Sequence, residues 1–121
     1  MWNCLMVAVG GAIGAVFRYL IGLIPLEAQS GFPFKTLVIN IAGSFVIGVI
    51  AVLAQKQSLS PSVVMLLKTG VCGGFTTFST FALESNQLIS SGNYMFAAIY
   101  MCASVLLSVA AVFAAQILLQ G

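Results

Sequence analysis

Four stretches of the chain stay apolar for about the length of a membrane-crossing helix, roughly 20 residues, and short polar strings separate them. The first runs from about Cys4 to Ile24 and gives way to Pro25, Glu27, Gln29, Ser30, Gly31 and Pro33. The second, Thr36 to Ala54, stops at Gln55, Lys56, Gln57 and Ser58. Pro61 stands where a third helix opens, a position that suits a residue with no N–H to donate. The third stretch continues from Ser62 to Ser85, and Asn86, Gln87, Ser90, Ser91, Gly92 and Asn93 follow as a loop. The fourth runs from Tyr94 to about Leu119. The pattern predicts an all-α integral membrane protein, a single domain over 1–121 with four transmembrane helices running up and down. The N-terminal apolar run has no basic segment ahead of it, so it reads as the first span and not as a cleaved signal.

The third stretch departs from the other three. At its centre stands GGFTTFSTF, Gly73 to Phe81, with two adjacent glycines and four hydroxyl residues, Thr76, Thr77, Ser79 and Thr80. Such material makes a poor lipid-facing helix, and a break in the membrane interior is tolerated only where it is buried in protein or lines a polar cavity. The spacing therefore predicts a third helix broken at mid-membrane. Carbonyls released between Gly73 and Thr76 would present partial negative charge to a cation. The start of the following half-helix would present partial positive charge to an anion. The pattern thus predicts an ion site, with the sign of the ion open.

Composition removes the soluble alternatives. Of 121 residues, 61% are hydrophobic and 5% charged, against roughly 25% charged in soluble domains. The six charges, Arg18, Glu27, Lys35, Lys56, Lys68 and Glu84, are scattered, so there is no basic patch for nucleic acid. Outside the spans each side of the membrane would carry one lysine, Lys35 or Lys56, and the positive-inside rule has little to act on. A chain so balanced can insert in both orientations, or Arg18 inside the first span can anchor a single one. Four helices are few to enclose a pathway, so a homo-oligomer is expected. An antiparallel two-fold pair would bring two copies of the break together.

The residue inventory excludes most catalysis. There is no histidine, the two carboxylates are far apart in sequence, and GGFTT lacks the Lys-Ser/Thr of a phosphate-binding loop. Cys4, Cys72 and Cys102 lack paired spacing and read as small buried hydrophobes. Gly10, Gly11, Gly14 and Ala15 in the first span, and Ser44 and Gly48 in the second, permit close helix contact. Asn40 is either an interhelical hydrogen-bonding residue or a donor lining a path. Tyr100, Ser104 and Ser108 fall at i, i+4 and i+8, three hydroxyls on one helix face about 6 Å apart in rise. Each serine can bond its own i−4 carbonyl, or the face can form a polar track. Phe78 and Phe81, at i and i+3, either pack or turn electropositive ring edges toward an anion.

GGAIGAVFRY (Gly10 to Tyr19), TLVINIAGSFVIG (Thr36 to Gly48) and TGVCGGFTTFSTFALE (Thr69 to Glu84) together resemble the CrcB/Fluc fluoride channels. The resemblance covers spans 1 to 3 by motif and span 4 by its polar face. It implies a dual-topology antiparallel homodimer with two fluoride pores, in a bacterial inner membrane. It also implies a structural Na⁺, not transported, held by main-chain carbonyls of Gly73 and Thr76 from both subunits. By the same resemblance Asn40, Phe78, Phe81, Ser79, Thr80, Tyr100, Ser104 and Ser108 line the fluoride path, and Arg18 and Glu84 stand near the pore mouths. The implied role is passive export of fluoride that enters as hydrogen fluoride and ionises in the cytoplasm. Two other readings are weighed against it. A small proton-coupled drug exporter would need a membrane-embedded glutamate in the first span, which has none. A non-conducting assembly subunit would leave the centred break and the hydroxyl face unused.

Overall fold

The computed structural model describes residues 1–25 and 31–120. Glu27, Gln29 and Ser30, assigned above to the first loop, lie outside the described residues. Every regular element among those described is helical: α1 (Trp2–Gly22), α2 (Phe34–Gln55), α3 (Pro61–Val64), a π-helical stretch (Met65–Cys72), α4 (Gly73–Phe75), α5 (Phe78–Ser90) and α6 (Tyr94–Gln120). Among the described residues α1, α2 and α6 are each long and apolar enough to cross a membrane as one helix. Residues 61–90 are divided into shorter pieces.

The helix ends follow local chemistry. Ser60 caps α3 by accepting from the Val63 N–H at 3.3 Å, with Pro61 just inside the helix. Thr77 caps α5 by accepting from the Thr80 N–H, also at 3.3 Å. α5 runs past Ser85, so Asn86, Gln87 and Ser90 are helical and not loop as the sequence suggested. Two contacts account for the extension: Leu88 is buried in the core, and Ser85 Oγ donates to the Phe81 carbonyl at 2.8 Å. The helix stops at Gly92, whose φ of +86° closes a turn with Gly92 N–H to Ile89 O at 3.1 Å and Asn93 N–H to Leu88 O at 2.8 Å. This double bond pattern needs a residue at positive φ, which glycine adopts at least cost.

Two helix pairs make the body of the molecule. α1 packs along the π-helical stretch and α4, and α2 packs along α6. Small residues set both distances. A Cβ on Gly10 would overlap the Leu66 carbonyl oxygen and stand 2.9 Å from Gly70 Cα, and one on Gly48 would stand 2.9 Å from Ala115 Cβ. Close backbone approach is how membrane helices gain van der Waals contact, since lipid removes the hydrophobic drive between them. The buried core is small: Leu37, Leu88, Ala97 and the fully buried Tyr100, with Phe32, Phe81 and Phe96 around it. The Phe32 ring meets Tyr100 edge-on at 5.7 Å and 83°. Elsewhere the helices turn Val16, Phe17, Leu106, Leu107, Phe113, Ile117 and Leu118 outward. So much exposed apolar surface suits contact with lipid and not with water. Of the cysteines only Cys72 is buried; Cys4 and Cys102 are exposed on such surfaces, against expectation.

Candidate functional site

The interruption of the third segment falls at Thr76 and Thr77, inside the GGFTTFSTF stretch that suggested it. Gly73 is helical at φ −63°, ψ −38°, whereas Thr76 (φ −83°, ψ 157°) and Thr77 (φ −148°, ψ 119°) are extended. The reason is steric on both counts. Gly74 is needed for approach, since a Cβ there would overlap the Gly11 carbonyl of α1 and stand 3.1 Å from Ala15 N. The threonines are β-branched and settle readily in extended backbone.

Side chains repair the break. Asn40 of α2 pairs with the backbone of Thr77 on both its polar atoms. Its Nδ2 donates to the Thr77 carbonyl at 3.1 Å, and its Oδ1 accepts from the Thr77 N–H at 2.9 Å. In a continuous helix the Thr77 N–H would donate to Gly73 O, and the Thr80 N–H to Thr76 O. The first is taken by Asn40 and the second by Thr77 Oγ1. Gly73 and Thr76 thus lose the N–H partners that a continuous helix would give their carbonyls. Arg18 Nε donates to the carbonyl between them, that of Gly74, at 3.1 Å. The sequence suggested Arg18 for a pore mouth; the structure places its guanidinium against the break. The π-helical turn ahead of it is a second irregularity of a kind that gathers at functional sites.

Beside the break lies a cleft of about 630 Å³. Asn40, Gly73, Thr76, Phe78, Phe81, Ser104 and Ser108 line it, together with Ser44, Lys68, Thr69 and Cys72. The cleft therefore gathers seven of the residues named from sequence, from α2, the broken segment and α6. Ser104 is the most telling. It is buried, and its Oγ has no hydrogen-bond partner, so it does not bond back to its own helix as Thr76 and Ser85 do. A buried hydroxyl left unpaired costs roughly 1–3 kcal/mol, which a bound acceptor would offset. Phe78 is 78% exposed and its ring contacts Phe81 at 5.5 Å and 44°. An aromatic that exposed is not core packing within one chain.

Five predicted residues lie outside this lining. Ser79 is exposed. The Thr80 hydroxyl accepts from Thr77 Oγ1 at 3.1 Å as part of the α5 cap. Tyr100 stands behind Phe81, ring to ring at 5.2 Å, and its hydroxyl donates to Glu84 Oε1 at 3.1 Å. Glu84 borders a separate cleft of about 470 Å³ with Lys35, Gln87 and Asn93. Arg18 is on the α1 side, as described. An interhelical hydrogen bond was one of the two readings of Asn40, an amide five residues into an apolar span; what sequence reasoning did not supply is its partner, the backbone of Thr77. Among the described residues no cluster of three His, Cys, Asp or Glu forms a metal centre. The uncommitted oxygens at the break are hard donors, suited to a cation such as Na⁺.

Residues 5–116 match the family described as CrcB-like protein, Camphor Resistance (CrcB). A curated protein of Agrobacterium fabrum named fluoride-specific ion channel FluC is 47% identical over 116 residues, 94% of this chain and 93% of its own length. One of the same name from Shewanella halifaxensis is 54% identical over 93 residues, 76% of this chain and 75% of its own. Another, from Rhizobium meliloti, is 45% identical over an alignment of 123 residues that covers 100% of this chain and 98% of its own. On the family match over residues 5–116 and these relatives, the chain belongs to the CrcB-like family.

Proposed function

We propose that this protein is a fluoride-selective channel that lets fluoride leave the cell passively across the plasma membrane. The observation that carries it is the buried, unpartnered Ser104 hydroxyl inside the cleft, in a chain similar over nearly its whole length to proteins named fluoride-specific ion channels. Fluoride is a small anion that holds its water tightly. A pathway must replace that water with close donors, and hydroxyls at Ser104 and Ser108 with the second amide hydrogen of Asn40 are of that kind. The ring edges of Phe78 and Phe81 add electropositive surface. Residues 61–90 then act as the third, broken span of four.

The functional unit is an antiparallel homodimer of two inverted copies. In one chain the cleft is open along Gly73 and Phe78, both exposed, which supports a second copy as the missing wall. The carbonyls of Gly73 and Thr76 would hold a structural Na⁺, whose positive charge would hold the breaks of the two copies together.

The test is an efflux assay in liposomes holding the purified protein. Fluoride should leave quickly and chloride hardly at all. Folded protein that passes no fluoride in sodium-containing buffer would reject the channel reading. A variant sharpens the assignment. Phe81→Ile should cut fluoride efflux by about tenfold or more while shifting the melting temperature by only a few degrees, since isoleucine keeps most of the buried apolar area. Parallel loss of both would reduce Phe81 to a packing residue.

A further inference from the structure

Three of the four basic side chains are committed to carbonyl oxygens. Arg18 Nε is on Gly74 O at 3.1 Å, Lys35 Nζ on Gly22 O at 2.8 Å and Lys56 Nζ on Leu119 O at 2.6 Å. Lys35 and Lys56 thereby compensate the negative C-terminal ends of α1 and α6. Lys68 is different. It is exposed, sits in the apolar third segment, and makes no hydrogen bond or ion pair among the described residues. A lysine in such a segment is costly unless its ammonium reaches water or a polar cavity. Lys68 lines the same cleft as Ser104 and Ser108.

The topology says which end of the cleft it marks. Tyr100 of α6 meets Phe81 and Glu84, beyond the break. The far end of α6 meets Lys56, ahead of the third segment. α6 therefore carries its hydroxyl face from the Phe81 end, through Ser104, to Ser108 on the side of the break where Lys68 stands. The carboxylate of Glu84 is at the opposite end and receives the Tyr100 hydroxyl.

We propose that Lys68 is the group that draws anions into this end of the cleft, a role that rests on the channel reading above. Its ammonium raises the anion concentration at the mouth before the hydroxyls and ring edges select among anions. It acts on the rate of capture and not on selectivity, because a point charge attracts chloride as well as fluoride. Attraction of this sort is screened by salt over a Debye length of about 10 Å at 0.1 M and 3 Å at 1 M.

The experiment measures fluoride efflux from liposomes at low and high ionic strength, adjusted with an impermeant salt. Lys68→Met should reduce efflux about threefold at low ionic strength, the scale of one exposed charge at pore-mouth distances, and the deficit should vanish at high ionic strength. Lys68→Arg should keep the wild-type rate, and Lys68→Glu should fall below Lys68→Met. The fluoride-to-chloride ratio should be the same in all four proteins. Equal rates for Lys68→Met and wild type at low salt would overturn the proposal and leave the channel reading intact. A deficit equal at both ionic strengths, or shared by Lys68→Arg, would also overturn it, because packing and not charge would be at stake. Wild-type protein without fluoride flux would remove the channel reading itself.

Discussion

Asn40→Leu should abolish fluoride flux and lower the melting temperature together. The amide closes the gap in the third segment by pairing with both the N–H and the carbonyl of Thr77. Leucine matches the amide in heavy-atom count and branching, though its methyls are bulkier, and it suits a membrane helix. What it removes is the only partner set that the described structure gives those two backbone groups. An interhelical side-chain hydrogen bond in a membrane is worth about 0.6 kcal/mol on average, whereas each stranded polar group costs roughly 1–3 kcal/mol. Here the stranded groups are backbone at a break that cannot re-form its helix without pulling Thr76 and Thr77 out of their extended conformation. The upper range therefore applies, roughly 2 kcal/mol or more in all. If the Thr77 N–H reverts to Gly73, the Gly73 carbonyl is no longer available to a cation. Efflux in liposomes and a melting curve in detergent, with and without Na⁺, are the measurements. A leucine variant with wild-type melting and flux would show that Asn40 does not brace the break.

Gly14→Ala should be worse for folding, although alanine is the better helix former by about 1 kcal/mol. The added methyl would overlap the Val71 carbonyl oxygen and lie 2.8 Å from Phe75 N. Both are backbone atoms of the segment packed against α1, so no side chain can turn aside. The helices must separate along the contact that also seats Gly10 on Gly70 and Gly74 on Gly11. Overpacking commonly costs about 1–3 kcal/mol and more when backbone is the obstacle, which exceeds the propensity gain. Low yield and a melting temperature depressed by several degrees are expected. Gly73→Ala is the matched control, because a Cβ there meets nothing within 4 Å in the single chain. Its monomer fold should survive, and any loss should fall on dimer assembly or flux. Equal tolerance at Gly14 and Gly73 would mean that the α1 contact yields more easily than its geometry implies.

The amphipathic detail of this chain is weak, yet its architecture was legible because the apolar stretches match membrane thickness and polar strings separate them. Five of the seven cleft residues were legible for a related reason, since a hydroxyl, an amide or a glycine pair in an apolar segment is conspicuous; Phe78 and Phe81 were placed on the path by the family resemblance. Other features had no such signature. The stretch GGFTTFSTF marked the break without saying which of its residues leave the helix; Gly74 serves the approach of α1, and the extended residues are Thr76 and Thr77. The place of Arg18 near a pore mouth came from the family resemblance, and its partner had no signal in the sequence. Only the packing of α1 on α4 shows that Gly74 O is within its reach. Asn86, Gln87 and Ser90 looked like loop because they are polar, whereas α5 continues through them to Ser90.

By itself the sequence determined that the chain lives in a membrane, how many apolar stretches it has, and which one is irregular. These follow from composition and run length, and both are local quantities. The tertiary structure decided which carbonyls are released, what repairs the break, and which basic side chain is left to face the cleft. Those outcomes depend on contacts between residues far apart in the chain, Asn40 with Thr77 and Arg18 with Gly74. The second forms where glycines on α1 and the third segment let two backbones meet, and beside the first Gly43 of α2 leaves room for the Thr76 methyl.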